Sequence, residues 1–294
     1  MISAILICCM IVLYTLQSLL CKQYSVNYPG REDDASPVFT VVSGFAVLLL
    51  SLILMGFRFE AAPLTILLGL INAVALIGYN TCIIKASQTG SYSILMTFAI
   101  AGSISIPTVV SVVAFDDGLS IPKAIGIIGV LTSVYMVSKR PGEQATAKSR
   151  WFIPVCILLA VCNGAYGTLL DVQQRLTGVE QKEEMVALTY GIAALGSLII
   201  MTAQNKKATP AMFRQNKKSL VYLITCSAAV AGAIHLLVYI LPLINVTVLY
   251  TLDNASVLLI SVALSCIMYK EKLSALNVIG CVIMCASLVT VAIF

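Results

Sequence analysis

Ten long apolar runs, separated mostly by short polar stretches, follow one another along this chain. One bilayer crossing needs roughly 20 mostly apolar residues. On that ruler, spans are expected near 2–20, 38–57, 62–84, 91–115 and 121–138, then near 151–170, 185–203, 219–240, 246–268 and 273–293. The short connections make neighbouring helices antiparallel, and no polar stretch is long enough for a soluble domain. The first run lacks a basic leader and a small-x-small cleavage site, so it reads as a retained membrane helix.

Composition agrees with that pattern. Apolar residues make up 60% of the 294 positions and charged residues 11%, with a mean hydropathy of +0.99. A soluble domain is roughly 45–50% apolar and about 25% charged. The ten cysteines lie in or at the end of apolar runs, where a reduced thiol behaves as a small hydrophobe. They show no zinc-ligand spacing, and the chain has one histidine. No metal site, cofactor or disulfide framework is therefore expected.

Charge refines the topology. Basic residues gather at 139–150 and 204–218, the pattern of cytoplasmic loops under the positive-inside rule rather than of a nucleic-acid surface. Of 18 Lys and Arg, only Arg58, Lys123, Arg175 and Lys182 fall on the opposite side. With ten spans, the rule puts both termini outside.

The two halves share a motif. Asp117-Gly118-Leu119-Ser120 aligns with Glu271-Lys272-Leu273-Ser274, and in the same register Ile125-Gly126 falls on Ile279-Gly280. Both copies stand between the penultimate and last span of their half. The acid and serine suit the head of a helix, where free N–H groups need acceptors. Gly126 and Gly280 permit close helix approach, as do Gly129 and Ser133 at small-xxx-small spacing. Gly44 and Gly191 recur in the second helix of each half. The expected division is a first five-helix repeat over 1–140, a basic connecting loop at 141–150 and a second repeat over 151–294. Five spans per half turn the second repeat over relative to the first.

The repeated acid-x-Leu-Ser-x4-Ile-Gly resembles the EamA-type signature of the drug/metabolite transporter superfamily, with Asp117 where that family usually has Glu. The resemblance extends to length, span number and duplication over essentially the whole chain. It implies an all-α integral membrane protein of about ten transmembrane helices, built as two inverted five-helix repeats around a central cavity that opens alternately to each side. It also implies cytoplasmic termini, opposite to the charge count.

Candidate chemistry is sparse. Asp253 alone among the acidic residues falls well inside an expected span, where an ionised carboxylate costs at least ~2.5 kcal/mol and normally faces a cavity or partner. Tyr250 and Asn254 share its polar stripe. Asp253 is a candidate site for a cation or coupling proton, the alternative being an aspartate hydrogen-bonded to a neighbouring helix. His235, with Tyr239 one turn on, is either a proton-exchanging group or a neutral core histidine. In the repeat frame His235 lies opposite Tyr79, whose neighbour Asn80 adds polarity to the third helix. Pro107 and Pro242 are expected to bend or break helices.

No Lys or Arg lies deep in an expected span, which favours a neutral or cationic substrate over an anionic one. No P-loop is present. The expected function is secondary active transport of a small organic metabolite or drug across the plasma membrane, as efflux and with proton coupling as an option. The expected partners are substrate and lipid, with no nucleic acid, and the chain is a monomer or homodimer. The competing readings are a membrane-embedded enzyme acting on a lipid or isoprenoid, and a metal-cation carrier of the same fold.

Overall fold

The computed structural model describes residues 2–30, 32–89, 92–139, 151–204, 213–269 and 273–294. Those residues form ten α-helices and no strand: α1 (Ile2–Asn27), α2 (Glu32–Leu54), α3 (Pro63–Thr89), α4 (Tyr92–Phe115), α5 (Ile121–Ser138), α6 (Phe152–Thr177), α7 (Lys182–Gln204), α8 (Lys217–Ile240), α9 (Val246–Tyr269) and α10 (Ala275–Ile293). Among the described residues, nine helices are long and apolar enough to cross a membrane, and α5 contributes a shorter apolar stretch at Ile121–Val137.

The distribution of side chains is that of a multi-pass membrane protein. Val113, Ile121, Ile199 and Val282 are each more than 60% exposed, while Ser51, Thr65, Asn72, Ser133 and Thr189 are fully buried. Water would penalise so much exposed aliphatic surface; hydrocarbon does not.

Several helices outrun their apolar segments. α1 continues to Asn27 because Tyr24 is buried against the head of α2, with its hydroxyl donating to Ala35 O at 3.2 Å. α6 continues to Thr177 because its polar last turns pair: Arg175 meets Asp171 at 2.9 Å, and the Gln174 amide donates to Val238 O at 2.9 Å. Pro242 breaks the chain between α8 and α9 in a short 3-10 turn, Leu241–Leu243. Pro107 is accommodated inside a continuous α4.

The helices gather into two compact units, each drawing on both halves of the sequence. One comprises Met1–Thr81 and Leu169–Leu243, the other Cys82–Thr168 and Ile244–Phe294. In the first, α1 packs along α8, and α2 along α7 and α8. Tyr24, Val38, Val41, Met201 and Leu223 form an apolar cluster there. In the second, α5 packs along α10, and α4 against α5 and α9. Ile104, Val130, Val134, Met284 and Val291 form its core.

Small residues set both main crossings. A Cβ added to Gly44 would lie 2.8 Å from Ala194 Cβ and from Tyr190 O, so α2 and α7 touch nearly backbone to backbone. On α5 and α10 the contacts are reciprocal: Gly126 faces Val291, and Gly280 faces Val137. In the register of the sequence repeat, these are the same pair of positions exchanged.

The serines of the repeated motif cap their helices. Ser120 Oγ accepts from Lys123 N at 3.3 Å, and Ser274 Oγ from Asn277 N at 3.2 Å. Asn277 does more than complete a capping box. Its Oδ1 accepts from Ser274 N at 2.9 Å, which orients its amide nitrogen towards the tail of α5. There Nδ2 donates to Met136 O, Val137 O and Lys139 O at 2.9, 3.0 and 2.7 Å. Asp117 accepts from the Ser111 hydroxyl in the turn before α5. Its counterpart Glu271 and the basic loop 141–150 lie outside the described residues.

Candidate functional site

In the second unit the polar stripe of α9 is ordered by its neighbours. Gly167 of α6 has no side chain, so the Tyr250 ring lies against it, and the Tyr250 hydroxyl donates to Gly167 O at 2.9 Å. The Asn254 amide folds back to Tyr250 O at 2.8 Å, one turn earlier on its own helix. Asp253, between them, is half-buried, and its Oδ1 is shielded without a hydrogen-bond partner among the described residues. An acceptor left in this state costs about 1–3 kcal/mol, more when charged. It is positioned to take a proton or a cationic group.

The first unit holds a second polar cluster. His235 of α8 is buried, with Nδ1 2.7 Å from Ala231 O. Its Nε2 is 3.0 Å from Ser51 Oγ of α2 and 3.0 Å from Glu183 Oε2 of α7. Tyr239, one turn beyond His235, is 53% exposed instead of sharing this environment. The Lys182 ammonium lies 5.8 Å from the Tyr239 ring centre, within cation–π range. The Asn80 amide is engaged with Thr40 Oγ1 at 3.0 Å, tying α3 to α2. Neighbouring Tyr79 is half-buried on the same helix.

The candidate residues therefore form two groups. Tyr250, Asp253 and Asn254 belong to the second unit; His235, Tyr239, Tyr79 and Asn80 belong to the first. The repeated-motif residues Ser120, Gly126, Ser274 and Gly280 serve helix capping and close approach in the second unit. Sequence reasoning missed Ser51 and Glu183. Glu183 lay just ahead of the span expected at 185–203, but α7 begins at Lys182 and carries it in its first turn. Two acidic residues in succession ahead of an apolar run are a helix-start signal that could have moved the boundary.

No protein-family model matches the chain, and no curated protein matches it in sequence. Among solved structures, one crystal structure of a protein superposes with a TM-score of 0.72 over 98% of this chain and 95% of its own, at 14% identity. That likeness shows a shared fold over essentially the whole chain.

Proposed function

We propose that this chain is a secondary active transporter. It moves a small neutral or cationic organic molecule across the plasma membrane by alternating access, in the direction of efflux and with protons as the coupling ion. The observation that carries this reading is Asp253. A shielded carboxylate oxygen on a membrane helix, unanswered among the described residues while Tyr250 and Asn254 are engaged, marks a functional group by default. Lys123, the one Lys or Arg buried among the described residues, sits in the first turn of α5. That leaves little cationic chemistry for an anionic substrate.

Two features support inverted five-helix repeats. α2 packs on α7, α4 on α9 and α5 on α10, pairing helices of the same rank in each half. The exchanged contacts of Gly126 with Val291 and Gly280 with Val137 are what a two-fold relation would generate. On this reading α5 is the tenth span, its 18 residues covering about 27 Å at 1.5 Å each. The motif and the helix pairing together favour an EamA-type carrier. The basic loops would face the cytoplasm and both termini the outside.

Reconstitution into liposomes tests the function. A panel of radiolabelled monovalent organic cations, tetraphenylphosphonium among them, and neutral metabolites is offered under an imposed pH gradient. Protein-dependent movement of at least one compound against its own gradient is expected. A panel that moves no faster than in protein-free liposomes would overturn the proposal.

A further inference from the structure

His235, Glu183 and Ser51 meet at one end of the first unit, each from a different helix. All three lie within the last or first turns of α8, α7 and α2, so the cluster is less than about 10 Å of helix from the connecting loops.

The hydrogen inventory follows from the partners. Nδ1 stands 2.7 Å from Ala231 O, and a carbonyl only accepts, so Nδ1 carries a hydrogen. A neutral imidazole then presents a lone pair at Nε2. Yet Glu183 Oε2 is 3.0 Å from that atom. Two acceptors at this distance repel, so the contact is attractive only when a further proton resides on Nε2 or on the carboxyl. Oε2 is buried and has no other hydrogen-bond partner among the described residues, so departure of that proton leaves the carboxylate oxygen unanswered. Ser51 suits either state, because its hydroxyl donates to the lone pair or accepts from Nε2–H.

We infer that His235, Glu183 and Ser51 form a proton-binding site that loads and releases the coupling ion of the proposed transport cycle. A proton from water bonds to the Nε2 lone pair, turning neutral imidazole beside a carboxylate into an imidazolium–carboxylate pair. Release returns it to water, with no other bond made or broken. Loading draws the head of α7 onto α8, and unloading sets acceptor against acceptor and loosens them. Charged or titratable groups approach from each packed helix, and α6, whose Gln174 reaches Val238 of α8, brings the Asp171–Arg175 pair. α7 adds Lys182, turned over the Tyr239 ring, and Glu184. α2 brings Ser51, with Arg58 and Glu60 in the connection after it. α1, which reaches α8 through Leu13 and Gln17, has no charged residue from Ile2 to Cys21; its titratable groups there are Tyr14 and Cys8, Cys9 and Cys21.

This inference rests on the transporter reading for the proton's use, but the site is testable on the protein itself. His235 is the only histidine, so 15N-histidine labelling gives one imidazole to observe by NMR. In purified wild type, Nδ1 is expected to stay protonated, while Nε2 passes from N–H to lone-pair form between acidic and alkaline samples. In Glu183→Gln the Nε2 signal should differ from wild type, because the carboxylate 3.0 Å from that atom is gone. Ser51→Ala should alter the Nε2 signal and leave Nδ1 protonated. A wild-type signal from the Nε2–H, Nδ1-lone-pair tautomer would overturn the site, and so would an Nε2 signal that does not respond to pH. Identical wild-type and Glu183→Gln spectra would do the same. If Glu183→Gln does not fold, the wild-type series alone decides. A chain that binds the proton in this way but moves no probe in liposomes sinks the transporter reading and leaves the site standing.

Discussion

Replacing Gly126 by alanine would add a methyl carbon 2.7 Å from Val291 Cγ2, 3.1 Å from Ser287 O and 3.3 Å from Val291 N. Carbon atoms rest about 3.5–4.0 Å apart, so the Val291 methyl must retreat by about 1 Å or α5 and α10 must separate. Overpacking of this kind costs about 1–3 kcal/mol. Because the tightest neighbour is a side-chain methyl, Val291→Ala should relieve it. Val291→Ala alone should cost about 1–2 kcal/mol through lost packing. The double variant should then be more stable than the sum of the singles by at least about 1 kcal/mol. Gly280 offers a contrast. Its added methyl would meet Met136 Cβ at 2.8 Å and Val137 N at 3.0 Å as well as Val137 Cγ2 at 3.0 Å. Met136 Cβ and Val137 N are fixed to the backbone, so Val137→Ala should rescue Gly280→Ala poorly. Equilibrium unfolding in mixed detergent micelles, followed by circular dichroism, reads all six variants. Additivity of Gly126→Ala and Val291→Ala to within about 0.5 kcal/mol would refute the contact.

Two further outcomes are expected in the same assay. Asn277→Ala removes the donor that holds three carbonyls at the tail of α5 and one partner of the Ser274 cap, and should cost about 2–3 kcal/mol. Asn277→Asp should cost more, since it sets a carboxylate against those carbonyls, and equal stability of the two variants would contradict the staple. Tyr28, just beyond α1, has its phenol pushed up to about 12, first by burial and then by the Asp34 carboxylate. An unfolded phenol titrates near about 10. The folded chain therefore holds this proton more tightly, a contribution fully present below about pH 10 and lost as pH rises through about 12. Wild type should lose stability across that window and Tyr28→Phe should lose less; identical alkaline profiles would contradict the assignment.

What depended on local spacing was readable in the sequence. The ten apolar runs fall on the ten α-helices of the described residues, and Ser120 and Ser274 cap the helices whose heads they mark. Gly126 and Gly280 stand at close crossings, as small residues at that spacing suggest, but the sequence does not say which helix they meet. Choosing α10 as the partner of α5 requires pairing segments far apart in the chain. The same limit hid Ser51, an unremarkable hydroxyl until α2 and α8 are side by side. Glu183 was hidden by a boundary drawn where the apolar run begins, although α7 starts in the polar residues before it. Helical spacing grouped Tyr239 with His235, but four residues on a helix share a face only while a neighbour covers both, and Tyr239 lies exposed near the end of α8. The engagement of Asn80 was hidden in the same way, because its partner, Thr40, lies on another helix.

The central claim is carrier-mediated transport that works through Asp253. The most direct measurement compares wild type with Asp253→Asn in proteoliposomes, at matched protein density and across a range of pH. The probe is whichever compound of the panel wild type moves, and binding of the same compound is measured in detergent. The account predicts that Asp253→Asn loses at least about tenfold of the gradient-driven flux of that compound. Equal flux in the two proteins would contradict it.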